Sequence, residues 1–121
     1  MVAPKNYRQR NISPYIPKQG DIVWLDFDPT SGKEITKRRP AFVLSQQAFQ
    51  QHIQMMIVAP ITSTLRGGAL EVPLSDEETQ GAILVYQLRS VDFQTRNPVF
   101  IEQASQETLR KMLEIAQILV Q

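Results

Sequence analysis

The 121-residue chain has no cysteine. Disulfide frameworks and thiolate metal sites are therefore excluded. It has one histidine, His52, which rules out a His-rich metal site and leaves no Ser-His-Asp set in a recognisable order. Its five glycines form no phosphate-binding loop, and neither zinc-ligand spacing nor a nucleophile elbow occurs. No apolar run approaches the roughly 18 residues that a bilayer-spanning helix needs. Met1 to Asn11 lacks the apolar core of a signal peptide, so a cytoplasmic protein is expected. A metal could enter only through carboxylates, and no cofactor is expected.

Net charge is also nearly absent, at +1, but it is unevenly placed. Met1 to Pro40 carries eight Lys/Arg against four Asp/Glu, and the remainder five against eight. A basic first third suits a phosphate-bearing partner better than the overall balance suggests. The length fits one domain with its own core, expected over residues 20–121 after a flexible extension over 1–19.

The chain is organised around Gly20 to Ser45. Ile22, Trp24 and Asp26 alternate with Val23, Leu25 and Phe27, the period of a strand. Asp28, Pro29, Ser31 and Gly32 then break the pattern, and Ala41 to Leu44 resumes extended structure after Pro40. The intervening loop, about a dozen residues, exceeds the usual hairpin length of about two to five. Gln46 to His52 reads as a short helical connector. Met55 to Ile61 reads as a buried strand whose Pro60 marks an end or a bulge. Leu70 to Leu74 is another strand, Ser75 to Gly81 an acidic turn, and Ala82 to Phe93 a long strand that puts Val85, Gln87 and Arg89 on one side. Pro98 to Ile101 adds a further strand. From Ser105, a reasonable N-cap, to Val120 the apolar positions Leu109, Met112, Leu113, Ala116, Leu119 and Val120 recur at helical spacing. Short strands, short connections and one terminal helix predict a mostly antiparallel barrel or curled sheet.

Chemistry concentrates where the basic loop meets the hydroxyl cluster Thr62, Ser63 and Thr64 at a strand end. On residue chemistry alone this is a candidate phosphate site. The ordered runs G-D-I-V-W-L-D-F-D-P-T-S-G-K-E, R-R-P-A-F-V-L-S, V-A-P-I-T and G-A-I-L-V-Y-Q-L-R-S-V-D resemble the MazF/PemK family of toxin endoribonucleases, its ChpB-type members in particular. The resemblance implies a small SH3-like antiparallel barrel of the MazF/CcdB toxin type, mostly β with a C-terminal α-helix. It also implies a homodimer, metal-independent cleavage of single-stranded RNA at short sequences, and inhibition by a cognate antitoxin with an acidic disordered segment.

Carried over residue by residue, the resemblance makes Arg39 and Thr62 the catalytic pair and adds Glu34 from the loop. Gln87 and Arg89 match a groove-lining Q-x-K/R pattern. Lys33, Lys37, Arg38, Ser63 and Tyr86 complete the expected substrate contacts. Tyr86 stands where some relatives carry an aspartate assigned as general base, so that assignment does not transfer. Cleavage by transesterification needs a base for the 2′-OH, charge stabilisation at the pentavalent phosphate and an acid for the leaving 5′-oxygen. Arg39 suits bidentate charge stabilisation. The base stays open between Glu34, water and Arg39. His52 is expected on the surface, Trp24 in the core or at a partner interface. The rival readings are a CcdB-like toxin that binds and poisons DNA gyrase, and a barrel that binds RNA without cutting it.

Overall fold

The computed structural model describes residues 15–27, 38–65 and 67–120. Lys33, Glu34 and Lys37 lie outside the described residues. The described chain forms seven strands and two α-helices: β1 Asp21–Asp26, β2 Arg38–Val43, α1 Gln47–Ile53, β3 Met56–Thr62, β4 Glu71–Pro73, β5 Ala82–Leu84, β6 Arg89–Val91, β7 Val99–Gln103 and α2 Gln106–Leu119. Neighbours run in the order β4-β5-β3-β2-β1-β7, with β6 also on β3, and every pairing is antiparallel. This is the expected mostly antiparallel, barrel-like sheet with a C-terminal helix. No described helix is long and apolar enough to cross a membrane.

Alternation in β1 sorts its side chains to two cores. Ile22 joins Phe42, Ala59, Ile61, Ile83 and Met112 on one face of the sheet. Val23, Leu25 and Phe27 join Ala41, Val43, Met56, Val58, Val91 and Phe93 on the other. Both faces are covered, so the central strands read as nearly unbroken apolar runs. Each large side chain among them, such as the fully buried Phe42, Ile22 and Leu25, contributes about 1.5–3 kcal/mol relative to exposure.

Strand β3 is long enough to serve two partners. Its first half pairs with β6 from Met56 to Val58, its end with β5 at Ile61 and Thr62. Pro60 sits inside this strand, opposite Ala41 of β2, rather than at its end. The position is tolerated because it falls between the β6 and β5 pairings, where the other edge of β3 has no ladder to supply with an N–H.

Three sequence expectations are revised. β2 begins at Arg38, so Arg38, Arg39 and Pro40 belong to a strand and not to the expected loop. The long strand expected from Ala82 to Phe93 is split by a 3₁₀ turn over Val85–Gln87. Val85 is consequently buried while Gln87 and Arg89 are exposed. Finally, the helical stripe is only partly covered. Leu109, Met112, Leu113 and Ala116 of α2 pack on the first core, whereas Leu119 and Val120 are exposed. Ser105 caps that helix as expected, accepting the Thr108 N–H at 3.1 Å.

Tyr15 to Gln19, inside the expected flexible extension, is held to the domain. Tyr15 donates to buried Asp21 at 2.6 Å, and the Pro17 carbonyl accepts from the fully buried amide of Gln50, also at 2.6 Å. His52, by contrast, is exposed on α1 as expected.

Candidate active site

The register of β2 and β3 builds the site. Ala41 faces Pro60. Two residues further along each strand, toward the same edge of the sheet, stand Arg39 and Thr62. Both line one cavity of about 270 Å³, together with Pro40, Ile61, Ser63 and Gln80. Residues bearing a guanidinium, two hydroxyls and an amide thus surround a space whose lining is completed by Pro40 and Ile61. The Thr62 hydroxyl also accepts the Thr64 N–H at 3.2 Å, the local turn that Ser and Thr commonly make at strand ends. The hydroxyl hydrogen remains available for a ligand oxygen.

Among the described residues, the other two expected arginines have partners of their own. Arg38 pairs with Asp26 at 2.6 Å and also donates to the Asn97 carbonyl at 3.1 Å. It is thereby tied to β1 and to the loop before β7. Arg89, expected to line an RNA groove, donates to the Phe27 carbonyl at 2.6 Å and stacks over the Phe27 ring, 5.0 Å from its centroid. Arg96 donates to the same carbonyl. Arg39 lies over that ring as well, at 5.9 Å. Cation–π contacts of this kind contribute about 0.5–2 kcal/mol according to their desolvation. Phe27 therefore collects three guanidiniums of like charge, through its ring and its carbonyl, beside the cavity. The resulting positive field attracts polyanions.

Tyr86 and Gln87 stand exposed on the 3₁₀ turn after β5 and are not among the described residues that line the cavity. Ser63 is, as expected. Trp24, expected in the core or at an interface, is 42% exposed. It faces Pro40 across the β1–β2 ladder and Val99 across the β1–β7 ladder, next to the cavity wall.

Gln80 was not legible as a site residue. It belongs to the acidic turn, and only the return of the chain into β5, which pairs with Thr62, brings it to the cavity. That turn is fastened from behind. Glu102 of β7 accepts the Glu78 N–H at 3.1 Å, the Thr79 N–H at 2.7 Å and the Thr79 hydroxyl. Partial burial pushes the Glu102 carboxyl up, but these hydrogen bonds outweigh it and hold the group below the usual carboxylate range. Glu77 in turn accepts the Ser105 N–H at 2.8 Å. Among the described residues no cluster of three His, Cys, Asp or Glu side chains is placed to hold a metal ion.

Comparison with known proteins gives one consistent pattern. Residues 18–120 match a family model described as PemK-like, MazF-like toxin of type II toxin-antitoxin system. The chain is 41% identical over 110 residues to the endoribonuclease toxin ChpB of Escherichia coli K12, covering 86% of this chain and 94% of that one. It is 39% identical over 85 residues to the endoribonuclease toxin MazF of the same organism, covering 70% and 77%. Its fold matches MazF in a MazE–MazF crystal structure from Deinococcus radiodurans with a TM-score of 0.80 at 32% identity, over 88% of this chain and 97% of that one.

Proposed function

The chain belongs to the PemK-like, MazF-like toxins of type II toxin-antitoxin systems, and from this premise we propose that it is an endoribonuclease cutting single-stranded RNA beside Arg39 and Thr62. The observation that carries the site is their convergence from adjacent strands on one cavity. The relatives are named endoribonucleases, which sets aside the gyrase-binding reading.

The ribose 2′-oxygen attacks the neighbouring phosphorus, a P–O bond forms, and the bond to the 5′-oxygen breaks. The products are a 2′,3′-cyclic phosphate and a free 5′-hydroxyl. Arg39 binds the non-bridging oxygens, where charge accumulates, with two parallel N–H donors. Thr62, with Ser63 beside it, adds a hydroxyl donor. The proton of the 2′-OH goes to Glu34 or to water, since Arg39 as a charged guanidinium has no lone pair to accept it. The protonated acceptor or a second water returns a proton to the leaving 5′-oxygen. Tyr86, at the position of an aspartate in some relatives, does not supply a carboxylate. Lys33 and Lys37 of the loop would extend the phosphate contacts along the strand, with Tyr86 and Gln87 further out. Arg38 and Arg89, held by Asp26 and Phe27 yet exposed, would add phosphate contacts from fixed positions.

The reading extends to partners. MazF of Deinococcus radiodurans is seen with MazE, and an acidic, disordered antitoxin segment would compete with RNA for the same positive groove. A homodimer fits the exposed apolar end of α2, Ile118 to Val120. The protein would act in the cytoplasm, where its RNA substrate is.

The test is cleavage of a long RNA in EDTA. Wild-type protein cuts it, while Arg39→Ala and Thr62→Val each leave it whole and keep a native circular dichroism spectrum. Undiminished cutting by both variants would place the site elsewhere.

A further inference from the structure

Gln80 has no part in the charge chemistry just described. Its amide carries no net charge to offer a phosphate, yet it presents a donor and an acceptor in one plane. It lines the cavity that holds Arg39 and Thr62, is itself exposed, and its side chain makes no hydrogen bond to another described residue. Pro40 and Ile61 supply an apolar wall in the same cavity. An apolar wall beside a planar donor–acceptor pair is the chemistry that holds and reads an unstacked nucleobase.

The backbone around Gln80 is fixed on both sides. Upstream, Glu102 holds the Glu78 and Thr79 amides. Downstream, Gly81 lies so close to Thr62 that a Cβ there would sit 1.9 Å from the Thr62 carbonyl oxygen, and the Gly81 carbonyl accepts the Leu74 N–H at 2.9 Å. A glutamine on a loose surface turn would spend its time in water. The backbone of this one is tethered within one residue of each anchor, so only its side chain is left to be ordered on binding.

We propose that Gln80 determines sequence specificity by hydrogen-bonding the edge of the base adjacent to the scissile phosphate, and that Glu102 is a positioning residue that holds it there. The proposal rests on the endoribonuclease reading and adds to it the subsite that reads sequence.

The full-length protein is incubated in EDTA with an RNA pool randomised at the positions flanking the cut, and the cleaved ends are mapped by primer extension. Wild-type protein is expected to prefer one base at one flanking position. Gln80→Ala should flatten that preference by roughly tenfold, since a two-point base contact discriminates on this scale, and should leave preferences at other positions in place. Gln80→Glu, which only accepts, should shift the preference toward bases with an exocyclic amino donor. Glu102→Gln should weaken selectivity at the same position, a change that general destabilisation would not confine to one base. If Gln80→Ala and Gln80→Glu keep wild-type preferences at every position, the proposal is overturned while the nuclease reading stands. If wild-type protein cuts nothing, both fall together.

Discussion

Gly81 and Thr62 touch through their backbones: a Cβ added at Gly81 would lie 1.9 Å from the Thr62 carbonyl oxygen and 2.9 Å from its carbonyl carbon. Gly81 also has a φ of +123°, which side-chain-bearing residues rarely adopt. The residue before Ala82, the β5 partner of Thr62, thus has to be a glycine for the backbones to approach this closely.

Gly81→Ala should therefore act on stability and on the site together. Backbone strain of this kind costs about 1–3 kcal/mol, and relief requires Thr62 or the turn to move. The expected result is a lower melting temperature with RNA cleavage reduced beyond what the unfolded fraction explains. Cleavage that simply follows the folded fraction would mean that Thr62 tolerates the shift.

Arg39→Lys separates charge from geometry. The ammonium keeps the positive charge but loses the fork that matches two phosphate oxygens. Cleavage should fall by about 10²–10³, the range seen when a transition-state donor is removed, while RNA binding measured by filter retention changes much less. Near-normal turnover would show that a point charge is sufficient.

Glu102 predicts a pH effect of definite sign. Its folded carboxyl titrates below the ordinary glutamate range, so the latch stabilises the fold fully above that range and is lost as pH falls through the lower folded value. Amide chemical shifts of Glu78 and Thr79 should report one titration with a midpoint below that of an ordinary glutamate, and Glu102→Gln should abolish it. A midpoint at or above the ordinary value would remove the latch from the account.

Gln50 is fully buried on α1 and joins three segments. It accepts from Ser45 Oγ and donates to the Pro17 carbonyl, each at 2.6 Å, and Ser45 Oγ accepts the Ile57 N–H at 2.9 Å. Gln50→Leu has nearly the same volume but strands the Ser45 hydroxyl hydrogen and the Pro17 carbonyl. At about 1–3 kcal/mol for a buried polar group left unpaired, urea denaturation should show a loss of at least about 2 kcal/mol. An unchanged midpoint would mean that water reaches the vacated partners.

The sequence by itself determined the elements that depend on local pattern. Alternation from Ile22 to Phe27 sets β1, and three- and four-residue spacing with the Ser105 cap sets α2, because side-chain direction follows directly from the period of the backbone. The runs around Arg39 and Thr62 likewise carried the family resemblance, and the strand register brings those two residues together. The 3₁₀ turn at Val85–Gln87 was not legible, since a run of three residues leaves no periodic signal. Nor was the engagement of Arg38 by Asp26 or of Arg89 by Phe27, which joins residues 12 and 62 positions apart. Gln80 shows the same limit most clearly. In sequence it ends a polar turn; only pairing of β5 with Thr62 and the hydrogen bonds that Glu102 accepts put it beside Arg39. Local propensity acts over a few neighbouring residues, whereas which charges are spent and which amides face the cavity is decided by contacts between strands distant along the chain.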